Sequence, residues 1–154
     1  MIVATSDRIE KRLTLRAPRA RVWRAIADAR EFGKWFGVEL SGPFTAGARL
    51  TGKVTTPGYE HLPFDITVDR IEPERVIAFR WHPGMPDPAV DYTKEPTTLI
   101  VFELADAPGG TLLTLVESGF DQLPPGRRQS AFRDNDEGWT SQVKNIEEYV
   151  ARNS

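Results

Sequence analysis

Hydrophobic and polar positions alternate at the start of the chain. Residues 8–16 set Arg8, Glu10, Arg12 and Arg16 against Ile9, Leu13 and Leu15, the two-residue period of a half-buried strand. Ala17-Pro18 breaks that period, and Pro18 suits the start of a helix, where a missing N–H costs nothing. Val22, Ile26 and Ala29 then recur at helical spacing, which predicts a short amphipathic helix. A second helical turn is expected over 31–37, closed by Gly37, with Trp35 and Phe36 buried at its end.

Strand grammar returns after Gly37. Residues 38–40 and 49–55 are separated by Ser41-Gly42-Pro43, and Thr56-Pro57-Gly58 marks the next turn. From about Tyr59 to Glu72 a strand is expected, with Phe64, Ile66 and Val68 on one face and Asp65, Thr67 and Asp69 on the other. Pro73-Glu74 turns the chain into 75–82, where Ile77, Phe79 and Trp81 point inward and Val76, Ala78, Arg80 and His82 outward. Residues 83–96 hold four prolines and almost no period, which predicts a long loop. Two further strands, 97–105 and 111–119, flank the hairpin signal Asp106-Ala107-Pro108-Gly109-Gly110.

Beyond Pro124-Pro125-Gly126 the period becomes helical to about residue 152, with Trp139, Val143, Ile146 and Val150 on one stripe. A single long helix striped in this way must cover the apolar face of the meandering sheet. The expected fold class is therefore α+β: a curved antiparallel sheet of about six or seven strands wrapped around a long C-terminal helix, with two short helices after the first strand. One domain over 1–154 is expected from the length, with no internal repeat or interdomain linker.

Charge narrows the partners. The 20 basic and 22 acidic residues nearly cancel, so no net field favours nucleic acid or an anionic membrane. No stretch approaches the apolar length of a membrane span, and MIVATSDRIEKR has no apolar core of signal length. With no cysteine, disulfides, thiolate metal sites and cysteine nucleophiles are excluded, and a cytoplasmic location is the expectation.

Four landmarks in order, Trp35-Phe36, Gly110-Thr111, Ser118-Gly119-Phe120 and Gly138-Trp139, resemble the bacterial proteins similar to activators of the heat-shock-protein-90 ATPase. That AHSA-type family belongs to the START-like (SRPBCC), Bet v 1-like superfamily, and the likeness spans nearly the whole chain. Two departures stand out: Ala46-Gly47-Ala48 replaces a paired glycine that often begins the third strand, and the loop over 83–96 is longer than usual. What the resemblance implies is a helix-grip fold with a cavity between sheet and C-terminal helix, used across the superfamily for lipids, polyketides, hormones and other apolar molecules.

Candidate ligand contacts are the aromatics Trp35, Phe36, Phe64, Phe79, Trp81, Phe102, Phe120, Phe132 and Trp139, with Trp81 and Trp139 foremost. Tyr59, His61, Glu117 and Asn135 are candidate polar anchors. An aromatic on a buried face is more often simple core. Glu117 shares a strand face with Thr111, Leu113 and Leu115, but Leu112, Val116 and Ser118 compete for the inward parity. A carboxylate near a strand end ordinarily reaches water or an arginine such as Arg80; buried without a partner, it becomes a candidate acid or base.

His61 and His82 lack carboxylates at metal-ligand spacing, so no metal is expected, and His82 fits a surface or hydrogen-bonding role. Ser118 lies outside any nucleophile-elbow motif, which leaves no catalytic residue to assign. Arg127, Arg128 and Arg133 with Asp134, Asp136 and Glu137 suggest the solvated opening of the last helix.

The leading expectation is a module that binds an apolar, aromatic or lipid-like molecule without a cofactor. A cyclase or hydrolyase using the same cavity is the first alternative, and a co-chaperone acting on a heat-shock ATPase, which the resemblance suggests, is the second. Monomer and homodimer are both compatible with the sequence.

Overall fold

Seven strands form one antiparallel sheet in the order β1-β7-β6-β5-β4-β3-β2. The structure is a computed structural model that describes residues 7–84 and 89–153. The strands are β1 Arg8–Leu15, β2 Val38–Leu40, β3 Arg49–Val54, β4 Pro63–Glu72, β5 Val76–Trp81, β6 Thr98–Ala107 and β7 Gly110–Ser118. Every neighbour except β1 and β7 is also consecutive in sequence, so the sheet is a meander closed by the first strand.

The first two strands lie on opposite edges, and the chain crosses between them through α1 Arg19–Ala27 and α2 Ala29–Phe36. Asp28 separates the two helices and caps the second, its carboxylate accepting from the N–H groups of Arg30 and Glu31 at 2.9 and 3.1 Å. Gly37 ends α2 at φ 94°, a left-handed conformation that glycine adopts without a Cβ clash. That turn aims Phe36 toward the sheet and starts β2 at the next residue.

The long helix, α3 Pro125–Arg152, packs on β1, α1 and α2. Ala131, Trp139, Ile146 and Val150 are its buried residues, at the spacing of one helix face. Beneath it, Phe32 centres the aromatic core, its ring 4.9 Å from Trp35, 4.8 Å from Phe36, 5.4 Å from Phe44 and 5.8 Å from Phe79. At the C-terminal end of α3, Tyr149 donates to Glu31 at 2.8 Å, and Arg21 pairs with the same carboxylate at 2.9 Å. This cluster ties α1, α2 and α3 together.

Curvature has a local source in β4. Val68 faces Phe79 and Arg70 faces Ala78, which leaves Asp69 as an extra residue that bends the strand. Asp69 instead pairs with Arg80 at 3.1 Å.

Three expectations need correction. The strand expected from about Tyr59 begins only at Pro63, because 56–62 forms turns bonded from Tyr59 N–H to Thr56 O and from Leu62 N–H to Tyr59 O. Val76 and Ala78, expected on the outer face, are buried. They sit on a central strand, flanked by Glu72 and Glu103 and by Arg70 and Val101, whose longer side chains shield short ones. The loop over 83–96 also contains a 3-10 turn, Tyr92–Lys94, capped by Asp91.

Candidate functional site

Three neighbouring strands bring polar groups to one end of the sheet's inner face. Trp81 closes β5, Thr98 opens β6 directly opposite it, and Glu117 lies near the end of β7, paired with Ile9 and Ile100. Thr111, Leu113, Leu115 and Glu117 are all buried, so the inward parity carries the carboxylate into the core at 0% exposure. Arg80 cannot reach it, being on the opposite face with Asp69. From above, α3 lowers Asn135 and Trp139, one helical turn apart, onto the same point.

Four side chains converge on that carboxylate. Oε2 accepts from Trp81 Nε1 at 2.7 Å, Thr98 Oγ1 at 2.5 Å and Asn135 Nδ2 at 2.9 Å. Oε1 accepts from Trp139 Nε1 at 2.8 Å and Asn135 Nδ2 at 2.9 Å. Indole and amide N–H groups only donate, so this set complements an acceptor-only carboxylate. Among the described residues no Lys, Arg or His pairs with Glu117, and neutral donors alone offset its desolvation.

Asn135 extends the network to the surface, its Oδ1 accepting from the Gly84 backbone N–H at 3.0 Å. Those two bonds fix the amide orientation: reversed, its oxygen would face a carboxylate and its nitrogen a backbone N–H.

In front of this network lies a half-open cleft of about 460 Å³, within the usual range for small-molecule sites. Phe36, Phe64 and Trp81 line it and contact one another, with ring centroids 5.6 to 6.0 Å apart. Val38, Val54 and Leu62 add aliphatic wall; Tyr59, His82, Tyr92, Asn135 and Gln142 add polar atoms. His82 Nε2 bonds Glu95 O at 3.1 Å; because a carbonyl only accepts, that nitrogen carries the proton. On the turn before β4, Glu60 accepts from the Gly58 N–H at 2.7 Å; its own backbone N–H and that of Gly58 hold its carboxyl below the ordinary range.

Of the residues expected at a ligand, Phe36, Tyr59, Phe64, Trp81 and Asn135 line the cleft. Trp139 and Glu117 lie behind its wall, with Trp139 stacked on Trp81. Trp35, Phe79 and Phe102 belong to the core, and the Trp35 indole donates to Ala25 O at 2.8 Å. Phe120 and Phe132 pack on each other, 5.2 Å apart, away from the cleft, and His61 is exposed on the turn before β4.

Arg127, expected on a solvated surface, is largely covered: it pairs with Glu95 at 3.0 Å, lies over the Tyr92 ring and donates to Pro83 O at 3.3 Å. It fastens the proline-rich loop to α3. Tyr92 and Gln142 were missed as lining residues. Gln142 had a signal, since 135, 139 and 142 share one helix face, whereas Tyr92 sits where the sequence has no period.

Residues 16–151 match the family described as activator of Hsp90 ATPase homolog 1-like protein. The chain belongs to this family. Among solved structures, DynU16, described as a putative protein in the dynemicin biosynthetic locus, is similar at 28% identity and TM-score 0.71. The match covers 94% of this chain but only 47% of DynU16, so the chain spans about half of that protein. Protein MLL2253 from Mesorhizobium loti is similar at 22% identity and TM-score 0.74, over 96% of this chain and 98% of that one. Protein NE0264 from Nitrosomonas europaea is similar at 19% identity and TM-score 0.73, covering 98% of both.

No curated protein matches. The activator-type family has the START-like fold, which typically binds ligands, and the curved sheet around α3 is its helix-grip architecture. Among the described residues no helix is long and apolar enough to cross a membrane, and no three His, Cys, Asp or Glu side chains converge as a metal site.

Proposed function

We propose that this protein binds a small, flat, largely apolar molecule in the cleft between the sheet and α3. The observation that carries the reading is the wall of Phe36, Phe64 and Trp81, three rings in mutual contact beside an opening of about 460 Å³. Trp81 is held from behind by Glu117 and Trp139, so its face is preorganised and binding need not order it. A second depression, beside α2 and β2, is lined by Asp28, Arg30, Lys34 and Glu39, with Phe44 its single aromatic. Its lining is less suited to an apolar guest.

Binding rather than acid–base chemistry also fits the state of Glu117, whose oxygens already accept five contacts. DynU16 is described only by its biosynthetic locus, which is a reason to include biosynthetic intermediates among the ligands tested.

The test is a thermal-shift screen against lipids, flavonoids, polyketides and aromatic acids, with native mass spectrometry of the purified protein. A ligand at one hundred times its Kd adds about 2.7 kcal/mol, a rise of several degrees for a domain of this size. The rise should vanish in a folded Trp81→Ala variant. No response across the set, together with stimulation of a heat-shock ATPase, would replace this reading with a protein-interaction role; turnover of a bound ligand would make the protein an enzyme.

A further inference from the structure

Asn135 Nδ2 lies 2.9 Å from both oxygens of Glu117. The two oxygens of one carboxylate subtend a much smaller angle at that nitrogen than the angle between its two N–H bonds. A single N–H therefore serves both oxygens, and the second N–H diverges from them. Among the described residues that second N–H has no acceptor, although Asn135 lines the cleft. The amide cannot rotate to hide it, because Gly84 N–H and Glu117 fix which end is nitrogen.

We infer that Asn135 is the specificity-determining residue of the cleft, donating its second amide N–H to a carbonyl oxygen on a neutral, flat, aromatic ligand. The inference deepens the binding reading above and rests on it. Neutrality follows from Glu117: the carboxylate just behind the amide has no cationic partner among the described residues, so a ligand carboxylate brought to Asn135 meets like charge. A carbonyl oxygen meets an N–H of an amide that is polarised by the Gly84 N–H donated to its Oδ1. The aromatic frame lies against Trp81, Phe36 and Phe64. Glu117 acts here as a positioning residue, setting the amide without touching the ligand.

Matched probes that differ only at one carbon test this: 9-fluorenone with fluorene, anthrone with 9,10-dihydroanthracene, and benzophenone with diphenylmethane. Affinities are read from quenching of indole fluorescence. In the unmutated protein the ketone of at least one pair binds about fivefold to tenfold more tightly than its hydrocarbon, the size of one neutral hydrogen bond. Fluorene-9-carboxylate binds more weakly than fluorene. Asn135→Leu, checked for folding by circular dichroism, brings the ketone-to-hydrocarbon ratio to about one while the hydrocarbon still binds. Glu117→Gln, measured where it remains folded, lowers the same ratio, which a purely structural role would not move.

Equal affinity of ketone and hydrocarbon in every pair that binds overturns the anchor but leaves the apolar cleft standing. So does tighter binding of the carboxylate. Absence of quenching by all six neutral probes overturns the binding reading together with this inference.

Discussion

The indole of Trp81 is stacked on that of Trp139, centroids 5.7 Å apart and planes inclined by 24°, and both N–H groups point at the carboxylate of Glu117. One tryptophan comes from the sheet and the other from α3, so the carboxylate joins the two layers where the cleft opens. It also requires both indoles to keep their orientation, because a buried N–H without an acceptor is costly.

Glu117→Gln should therefore be destabilising beyond the loss of one bond. An amide replaces one acceptor oxygen by a donor NH₂ that faces other donors. We expect urea denaturation to show a loss of about 2–4 kcal/mol, from one or two buried donors left unpaired. A loss under 1 kcal/mol would mean that water reaches the carboxylate.

Gly84 holds φ at 86° while its N–H reaches Asn135, and a Cβ there would lie 3.4 Å from Ala131. Gly84→Ala strains a left-handed backbone against α3. The expected effect is about 1–2 kcal/mol in unfolding free energy, together with weaker ligand binding as the strained backbone shifts its N–H relative to Asn135. Thermal melts with and without ligand separate the two.

Phe32→Ala should cost about 3–5 kcal/mol, since the ring is buried at the centre of the aromatic core and its removal leaves a cavity. Tyr59→Ala provides the contrast. Tyr59 is 47% exposed on the cleft rim, so its removal should change stability by under about 0.5 kcal/mol while weakening any ligand that it touches. Chemical denaturation and ligand titration of the pair test whether core and rim separate.

Tyr149 should ionise above the ordinary phenol range. Burial is the main cause, followed by its hydrogen bond to Glu31; the nearby Arg21 opposes both. A raised folded-state value means that this contribution to stability is complete below the unfolded phenol pKa of about 10 and is lost as pH rises through the folded value. Absorbance at 295 nm against pH, compared with Tyr149→Phe, should show one of the three tyrosines titrating last.

Legibility in the sequence was uneven for physical reasons. The long helix, the two short ones and most strands follow from periods of 3.6 and 2 with turn residues between them, because those periods arise from local geometry. The start of β4 did not, since Leu62 extends the alternation of Phe64, Ile66 and Val68 back toward Tyr59, yet 56–62 is taken up by two tight turns. Val76 and Ala78 misled for another reason: burial on an outer face depends on neighbouring strands, as Arg70 and Val101 beside Ala78 illustrate. Within the site, Phe36, Phe64 and Trp81 were visible as aromatics, but nothing local distinguished them from Phe79 and Phe102, which are core.

By itself the sequence determined the elements, their order, the apolar stripe on α3 and the landmarks of the family, all properties of neighbours along the chain. Only the tertiary structure decided that Glu117 faces inward and that its partners are Trp81, Thr98, Asn135 and Trp139 rather than Arg80. Strand alternation permits two parities, and choosing between them depends on which face α3 covers. The five residues of that network come from four separate elements, and the convergence of their donors on one carboxylate is set by sheet pairing and helix packing.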